Sequence, residues 1–298
     1  MPTSSRRDTL LLAAAPALFV LLWSTGWIAA RAAAPFADPL TFLAVRFALA
    51  AGLLAIAIPF LVVTWPRRPI DVWHLVVSGI LIHAIYLGGV WWAVAQGVPT
   101  ALSGLIAAVQ PVLTASLAPV LAAERLGFWQ WIGVILGFAG ILVSLSPDLV
   151  TVGAADASAM LVPLAVNGLA MVSVTLGTFY QKRFVPSTDL RTATLVQYAT
   201  AAMVMGTVAY AIEPMRLEWN AQTVVTMAWS VVALSLGAIG LYLMLIRKGA
   251  VSRAAVLIYL VPPAVAIEAL VIFGEALGPV EIAGIVVTAI GVALAVRR

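Results

Sequence analysis

Residues 111–140 read PVLTASLAPVLAAERLGFWQWIGVILGFAG, and residues 262–291 read PPAVAIEALVIFGEALGPVEIAGIVVTAIG. Each stretch holds an apolar run, a short break with a glutamate and a Leu-Gly pair, and a second, glycine-containing apolar run. The two align without a gap at an offset of 151 residues, which pairs Pro111 with Pro262, Glu124 with Glu275, Gly133 with Gly284 and Gly140 with Gly291. Unrelated apolar helices match freely at Ala and Leu, but not at this many Gly, Pro and Glu positions. The chain is therefore an internal duplication of apolar helices.

The same offset carries the rest of the first half onto the second. It pairs Gly26 with Gly177, Asp38 with Asp189, and Val45-Arg46-Phe47 with Val196-Gln197-Tyr198. We therefore divide the chain into two repeats, residues 1–150 and 151–298.

The composition excludes most soluble classes of protein. Hydrophobic residues make up 63% of the 298 residues and charged residues 9%, with a mean hydropathy of +1.11. An average soluble domain has about 25% charged residues, so this chain is not a soluble enzyme, a nucleic-acid binder or a disordered tail. The net charge is +4, but the basic residues form no stripe that would bind nucleic acid. Cysteine is absent, which removes disulfides, thiolate metal sites and cysteine nucleophiles.

Ten apolar stretches are long enough to cross a bilayer, which takes about 20 helical residues. The predicted fold is an all-α integral membrane protein, with breaks marked by Pro, Gly and charged residues. The predicted spans are residues 9–30, 40–63, 72–95, 100–122, 128–145, 158–180, 192–212, 223–246, 252–273 and 280–296.

The distribution of lysine and arginine predicts the orientation. Thirteen of the 16 basic residues fall on one side of these spans, Arg31 and Arg216 fall on the other, and Arg46 lies within a span. Both termini are therefore predicted to be cytoplasmic. Each repeat has five spans, an odd number, so the second enters the membrane upside down. Inverted repeats of this kind are typical of secondary transporters.

The repeated pattern Pro-x12-Glu-x-Leu-Gly-x5-Gly-x6-Gly resembles the EamA-type repeat of the drug/metabolite transporter superfamily. Within that superfamily the chain is most similar to bacterial exporters of aromatic amino acids of the YddG type. The resemblance implies a multi-pass protein of the bacterial inner membrane that acts as a monomer by alternating access, and whose partners are the bilayer and a small-molecule substrate.

Polar residues within the predicted spans are candidates for the substrate site, because their burial in a membrane is costly. His83, at the middle of the third span, and Tyr86, one turn further, are the first candidates. Arg46 can pair with a substrate carboxylate, snorkel outward, or pair with another helix; Glu268 is one possible partner. Gln110 and Asn167 can bind a zwitterion or join neighbouring helices.

Aromatic residues and prolines complete the candidate set. The rings of Trp23, Tyr198 and Tyr259 can stack on a planar substrate, although core packing is the commoner role of such side chains. Pro111 and Pro262 occupy equivalent positions and are predicted to kink their helices, either as gating hinges or as static bends. The glycines of the fifth span favour close packing within the monomer or between two monomers.

The sequence contains no phosphate-binding loop and no hydrolase motif, so we expect neither a cofactor, nor a metal, nor enzymatic activity. We expect export of small amphipathic metabolites, most of all aromatic amino acids. The alternatives are a broad exporter of drugs or organic cations and a non-transporting membrane protein. Facilitated export and coupling through His83 both stay open.

Overall fold

The computed structural model describes residues 6–98, 103, 106–151, 157–248, 256–273 and 277–295. These residues are helical throughout, apart from their connections and one isolated bridge between Ala37 and Leu217. The helices are α1 Arg6–Ala33, α2 Pro39–Ala57, α3 Pro69–Gly79, α4 Tyr86–Ala95, α5 Val109–Leu121, α6 Phe128–Thr151, α7 Ala157–Phe184, α8 Leu190–Ile212, α9 Ala221–Trp229, α10 Ile239–Lys248, α11 Val261–Phe273 and α12 Pro279–Ala295. Short 3-10 segments, Ile58–Phe60 and Leu257–Leu260, extend α2 and precede α11.

Local sequence signals begin several of these helices. Pro39, Pro69 and Pro279 occupy the first position of α2, α3 and α12, where a missing N–H costs no intrahelical hydrogen bond. The side chains of Asp189 and Asn220 accept hydrogen bonds from backbone N–H groups in the first turns of α8 and α9. Such caps satisfy donors that a helix leaves open at its N-terminus.

The described residues contain seven helices long and apolar enough to cross a membrane. They are Ala15–Ala33, Pro39–Phe60, Pro69–Ala95, Phe128–Pro147, Met160–Phe184, Leu190–Ile212 and Ala221–Leu245. Val109–Leu121 and Pro279–Ala295 are shorter apolar helices. The fourth and ninth predicted spans begin in residues that the structure does not describe, and Glu275 lies outside the described residues as well. The membrane fold agrees with the composition, whereas the ten spans and their orientation stay predictions.

The packing of the helices follows the duplication. Helix α2 packs against its counterpart α8, and α6 packs against its counterpart α12. Helix α4 packs against α7, while α1 packs against the segment Ser230–Ala238 and against α11. Each repeat therefore contributes to shared contact surfaces, and the two do not form separate bundles.

The glycines of the repeated motif face each other between α6 and α12. A Cβ atom added at Gly133 would lie 2.3 Å from the backbone nitrogen of Ala295, and one added at Gly284 would lie 2.3 Å from that of Ser144. One added at Gly291 would lie 2.3 Å from the backbone nitrogen of Gly137. These glycines therefore allow backbone-to-backbone packing within one chain, which resolves the choice between contacts inside the monomer and contacts between monomers.

Two long helices are interrupted by π-helical segments that the apolar pattern does not predict. The first, Ile80–Ile85, joins α3 to α4, and the second, Ser230–Ala238, joins α9 to α10. The 151-residue offset places the first within the second. Short π segments are rare and are found frequently at functional sites. Because each repeat contains one, the layer of the bundle that holds the two segments is a candidate for the functional site.

The two ends of the bundle are closed by contacts between the repeats. At one end, which we call the Asp38 end, the Asp38 side chain accepts a hydrogen bond from the backbone N–H of Arg216 at 2.7 Å. There the Glu213 carboxylate also accepts from the N–H groups of Leu40 and Thr41, at 2.9 and 2.8 Å. At the opposite Asp189 end, the Arg191 guanidinium donates to the Val62 carbonyl at 2.8 Å.

Candidate functional site

A recess lies between α1, α2, α4 and the second π segment, in the half of the bundle toward the Asp38 end. Its cavity volume is about 50 Å³, and the recess is partly open to the outside. Its lining combines aromatic side chains with one charged residue, and the lining residues are Trp23, Gly26, Arg46, Tyr86, Leu87, Val90, Trp91, Leu234 and Ile239. A concave, mostly apolar surface with few polar groups is typical of a small-molecule site.

Arg46 supplies the charge of the recess. Its side chain is 3% exposed, its Nε donates to Ser235 Oγ at 2.9 Å, and its guanidinium lies 5.3 Å from the centre of the Phe47 ring. The salt bridges within the described part of the chain do not include a partner for Arg46. The predicted pair with Glu268 is therefore not formed, because Glu268 bonds to Ser24 instead. An uncompensated guanidinium beside a recess can bind an anionic group.

Aromatic rings form one wall of the recess. Trp23 of α1 and Tyr86 of α4 lie nearly parallel, with ring centres 6.5 Å apart and an interplanar angle of 10°. Behind them Tyr242 stacks on Phe19 at 5.4 Å and tilts against Trp23 at 5.5 Å. Packing of this kind holds Trp23 and Tyr86 in place beside the recess.

His83 and Tyr198 lie beneath the recess and not in its lining. His83 is on the first π segment, fully buried, with its ring 5.1 Å from Tyr198 and 5.5 Å from Phe47. Neither ring nitrogen has a hydrogen-bond partner. The Tyr198 hydroxyl donates to the backbone carbonyl of Ser235. The imidazole lies beside the Gln197 side chain, and Gln197 Oε1 and Gln181 Nε2 are buried without a partner as well. Such unused hydrogen-bonding capacity is costly in a buried site.

A second polar cluster occupies the equivalent place toward the Asp189 end. Gln197, the counterpart of Arg46, donates from Nε2 to Ser78 Oγ at 3.0 Å and to Gln181 Oε1 at 2.8 Å. The Ser78 hydroxyl also donates to Gln181 Oε1. Arg46 of α2 therefore contacts the π segment of the second repeat. Gln197 of α8 contacts Ser78, which lies just before the π segment of the first repeat. Our sequence reasoning missed Ser235, Gln181 and Gln197, although the offset already paired Gln197 with Arg46.

Three further candidates lie away from the recess. The Gln110 side chain lies beside Tyr242, with its Nε2 buried and without a hydrogen-bond partner, and Asn167 Nδ2 donates to Ser103 Oγ at 2.8 Å. Tyr259 is fully buried and lies close to Gly137, where an added Cβ would lie 2.6 Å from the ring. The structure therefore brings Trp23, Arg46 and Tyr86 together at the recess and distributes the other predicted site residues around it.

The two prolines predicted to kink their helices stand at helix beginnings. Pro111 is the third residue of α5, and Pro262 is the second residue of α11. Residues 106 and 107 are already helical before Pro111, and Leu257–Leu260 is helical before Pro262, so the kinks at both prolines stay predictions. Before α11 the chain is 3-10 helical, over Leu257–Leu260. The change from 3-10 helix to α-helix just before Pro262 is thus the place where this helix would bend if it acts as a hinge.

Comparison with known proteins agrees with this architecture. Residues 10–146 and 164–297 each match the EamA-like transporter family. The uncharacterized transporter YvbV of Bacillus subtilis (strain 168) is 26% identical over 262 residues, which cover 86% of this chain and 80% of that protein. An uncharacterized transporter of Archaeoglobus fulgidus is 24% identical over 133 residues, 44% of this chain and 46% of that protein.

A solved crystal structure shares the fold, with a TM-score of 0.78 over 98% of both chains at 19% identity. The names of the relatives point to a transporter and not to an enzyme, and they specify no substrate. Since the family match covers most of both repeats, the chain belongs to the EamA-like transporter family, whose members carry the drug/metabolite transporter fold.

Proposed function

We propose that this protein is a secondary transporter of the bacterial inner membrane that exports aromatic amino acids by alternating access. The observation that carries the proposal is Arg46, a buried guanidinium without an acidic partner in the described residues, in a recess walled by Trp23 and Tyr86. The guanidinium would bind the substrate carboxylate. The rings would stack on its aromatic side chain.

The charge of Arg46 also separates this proposal from its nearest alternative. A transported organic cation would meet a like charge in a poorly hydrated site, which is unfavourable. An amino acid presents a carboxylate and keeps its own ammonium group for acceptors nearby, such as the Tyr86 hydroxyl. Export of amino acids is therefore favoured over export of cationic drugs.

An asymmetry between equivalent positions in the two repeats supports alternating access. Around the recess, a Cβ added at Gly26 would approach no atom closer than 3.9 Å. At its counterpart Gly177, an added Cβ would lie 2.7 Å from Ile82 Cγ1. One half of the bundle is thus open and the equivalent half is tightly closed. An exchange of these two packings would close the recess and open its counterpart.

The offset names the lining of that counterpart cavity. It takes Trp23 to Val174, Arg46 to Gln197, Leu234 to His83 and Trp91 to Tyr242. His83, sealed in this structure, would line the cavity in the opposite state, where its free nitrogens could bind the substrate. The sorted basic residues predict that the recess described here faces the periplasm.

The proposal is tested by transport of labelled tryptophan in liposomes that contain the purified protein. We expect Arg46→Gln to raise the Michaelis constant about tenfold or more, since a hydrogen bond to a charged group contributes about 1.5–3 kcal/mol. Arg67→Gln removes the same charge from an exposed residue and serves as the matched control, with transport unchanged. Absence of protein-dependent movement of any aromatic amino acid would overturn the proposal.

A further inference from the structure

A carboxyl group lies on the other side of α1 from the recess, between α1 and α11. Ser24 is fully buried, and its Oγ lies 2.5 Å from Glu268 Oε1. The second carboxyl oxygen, Oε2, is buried without a hydrogen-bond partner. The neighbouring residues Ile267, Leu270 and Val271 are exposed on the outside of the bundle, which is where lipid would lie. An ionised carboxylate in such a place is costly.

The two contacts of Ser24 favour a protonated carboxyl at Glu268. A serine hydroxyl carries one hydrogen, yet Ser24 Oγ has two acceptor oxygens within reach, the Leu21 carbonyl at 2.9 Å and Glu268 Oε1 at 2.5 Å. If that hydrogen is directed to the Leu21 carbonyl, the contact with Glu268 is a hydrogen bond only when the carboxyl is protonated and its O–H donates to Ser24 Oγ. Loss of the proton would force Ser24 to turn away from its own helix.

Among the side chains that the structure describes, none supplies a counter-charge at the level of Glu268. On α1, the titratable group on the Ser24 face is Arg31, two turns away near the end of the helix. On the 3-10 segment before α11 it is Tyr259, which packs against Gly137. The described residues hold no group of three or more His, Cys, Asp or Glu side chains that could bind a metal ion. One carboxyl and one hydroxyl suffice for a proton, and a metal ion requires more ligands.

Helix α1 connects this carboxyl to the recess. Trp23 lines the recess, Ser24 contacts Glu268, and Thr25 Oγ1 accepts a hydrogen bond from Trp229 Nε1 at 2.9 Å. Three consecutive residues of α1 thus touch the substrate cavity, the carboxyl group and α9. A shift of α1 that closes the recess would also change the contact between Ser24 and Glu268.

We propose that Glu268 is the proton-carrying residue of this transporter and that Ser24 holds its protonated form, so that a proton enters as a substrate molecule leaves. The inference rests on the proposed transport function. Glu268 takes one proton from the side on which substrate is released and gives it up on the other side after α1 has moved. No bond other than this O–H is made or broken.

The test compares Glu268→Gln with wild type in liposomes, by two assays of tryptophan movement. In the first, labelled and unlabelled tryptophan exchange across the membrane at equal pH. In the second, a pH gradient drives net uptake while a dye reports internal pH. We expect Glu268→Gln to retain exchange within about twofold of wild type and to lose both gradient-driven uptake and the dye signal. Glu218→Gln, on an exposed loop, should keep all three.

Gradient-driven uptake and a dye signal that persist in Glu268→Gln would overturn the inference, as would wild-type uptake that ignores the pH gradient. Ser24→Ala keeps the carboxyl and should weaken gradient-driven uptake while exchange continues. If wild type does not exchange tryptophan, the proposed substrate is wrong, and an infrared difference spectrum of wild type minus Glu268→Gln decides the proton question separately. A protonated-carboxyl band at neutral pH supports the inference, and a carboxylate band overturns it.

Discussion

Arg46 and His83 show how differently two buried polar side chains can be accommodated in one membrane bundle. Arg46 has a hydrogen bond to Ser235 and an aromatic ring beside its guanidinium, whereas neither nitrogen of His83 has a partner. A buried group without partners is unfavourable for stability. Its presence is explained if the group is used in another conformation, which is the role that we propose for His83.

Replacement of His83 separates stability from function. Since the buried imidazole makes no hydrogen bond, we expect His83→Leu, which places the residue of the equivalent position 234, to leave the melting temperature in detergent unchanged or higher. Tryptophan transport should fall about tenfold, the value of one hydrogen bond of about 1.4 kcal/mol. Normal transport in a stable His83→Leu protein would show that the histidine serves packing alone.

Asp189 is a surface counterpart to these buried groups. It caps α8, and hydrogen bonds from Arg191, at 2.7 Å for Nη2 and 3.0 Å for Nε, lower the pKa of its carboxyl to about 2. Because the usual pKa is about 3.9, the ion pair stabilises the folded state fully above about pH 4, and this contribution is lost as the pH falls toward 2.

We therefore expect Asp189→Asn, which keeps a capping side chain, to melt about 1–3 °C below wild type between pH 5 and pH 8. The difference should shrink between pH 4 and pH 2, as wild type itself loses the charge. Melting curves over this pH range provide the measurement, and a difference that stays constant down to pH 2 would contradict it.

The packing of α6 against α12 depends on glycines, because a side chain at these positions would hold the two helices apart. Their glycines place backbone against backbone, and nothing there can turn aside to make room for a methyl group. The motif that reveals the duplication in the sequence is thus, in its glycine positions, a packing motif. The helix pair that it forms lies apart from the recess and supports the transporting helices.

Gly133→Ala tests this packing. The added Cβ would lie 2.3 Å from the backbone nitrogen of Ala295, so the helices must separate, and overpacking of this kind costs about 1–3 kcal/mol or more. We expect a clear loss in the melting temperature of the detergent-solubilised protein. At Gly52, also in a helix, an added Cβ would meet nothing within 4 Å. Gly52→Ala should therefore melt at the same temperature or higher, and equal losses in both variants would refute the packing argument.

The whole molecule is asymmetric although its sequence repeats. Two π segments, and the polar residues Arg46 and Gln197 near them, recur at the 151-residue offset. In the part of the chain that the structure describes, the recess is bordered by Gly26, whereas its counterpart Gly177 packs tightly against Ile82 and Leu81. Two nearly equivalent packings, of which one is open and one closed, are what alternating access requires.

Gly177→Val should shift this equilibrium toward the opposite state, because a side chain at Gly177 cannot fit beside Ile82, whereas its counterpart Gly26 has room for a Cβ. The chain has no cysteine, so a single cysteine in place of Val174, the counterpart of Trp23, reports access to the closed half. We expect Gly177→Val to raise its labelling from the Asp189 end about tenfold, and Gly26→Val to leave it unchanged. Equal labelling in the two variants would count against exchange of the packings.

The sequence by itself determined the class of the protein, the duplication and the polar residues that belong to it, because low charge, apolar length and matched Gly, Pro and Glu positions are local properties. It could not show that Arg46 bonds to Ser235, that His83 is sealed, that Tyr259 packs on Gly137, or that Glu268 meets Ser24. Those contacts join residues far apart in the chain, and their geometry depends on two π segments that no local pattern announces. The tertiary structure alone decided that the recess lies beside Trp23 and Arg46, since the space between helices depends on contacts between distant segments and not on the repeated pattern.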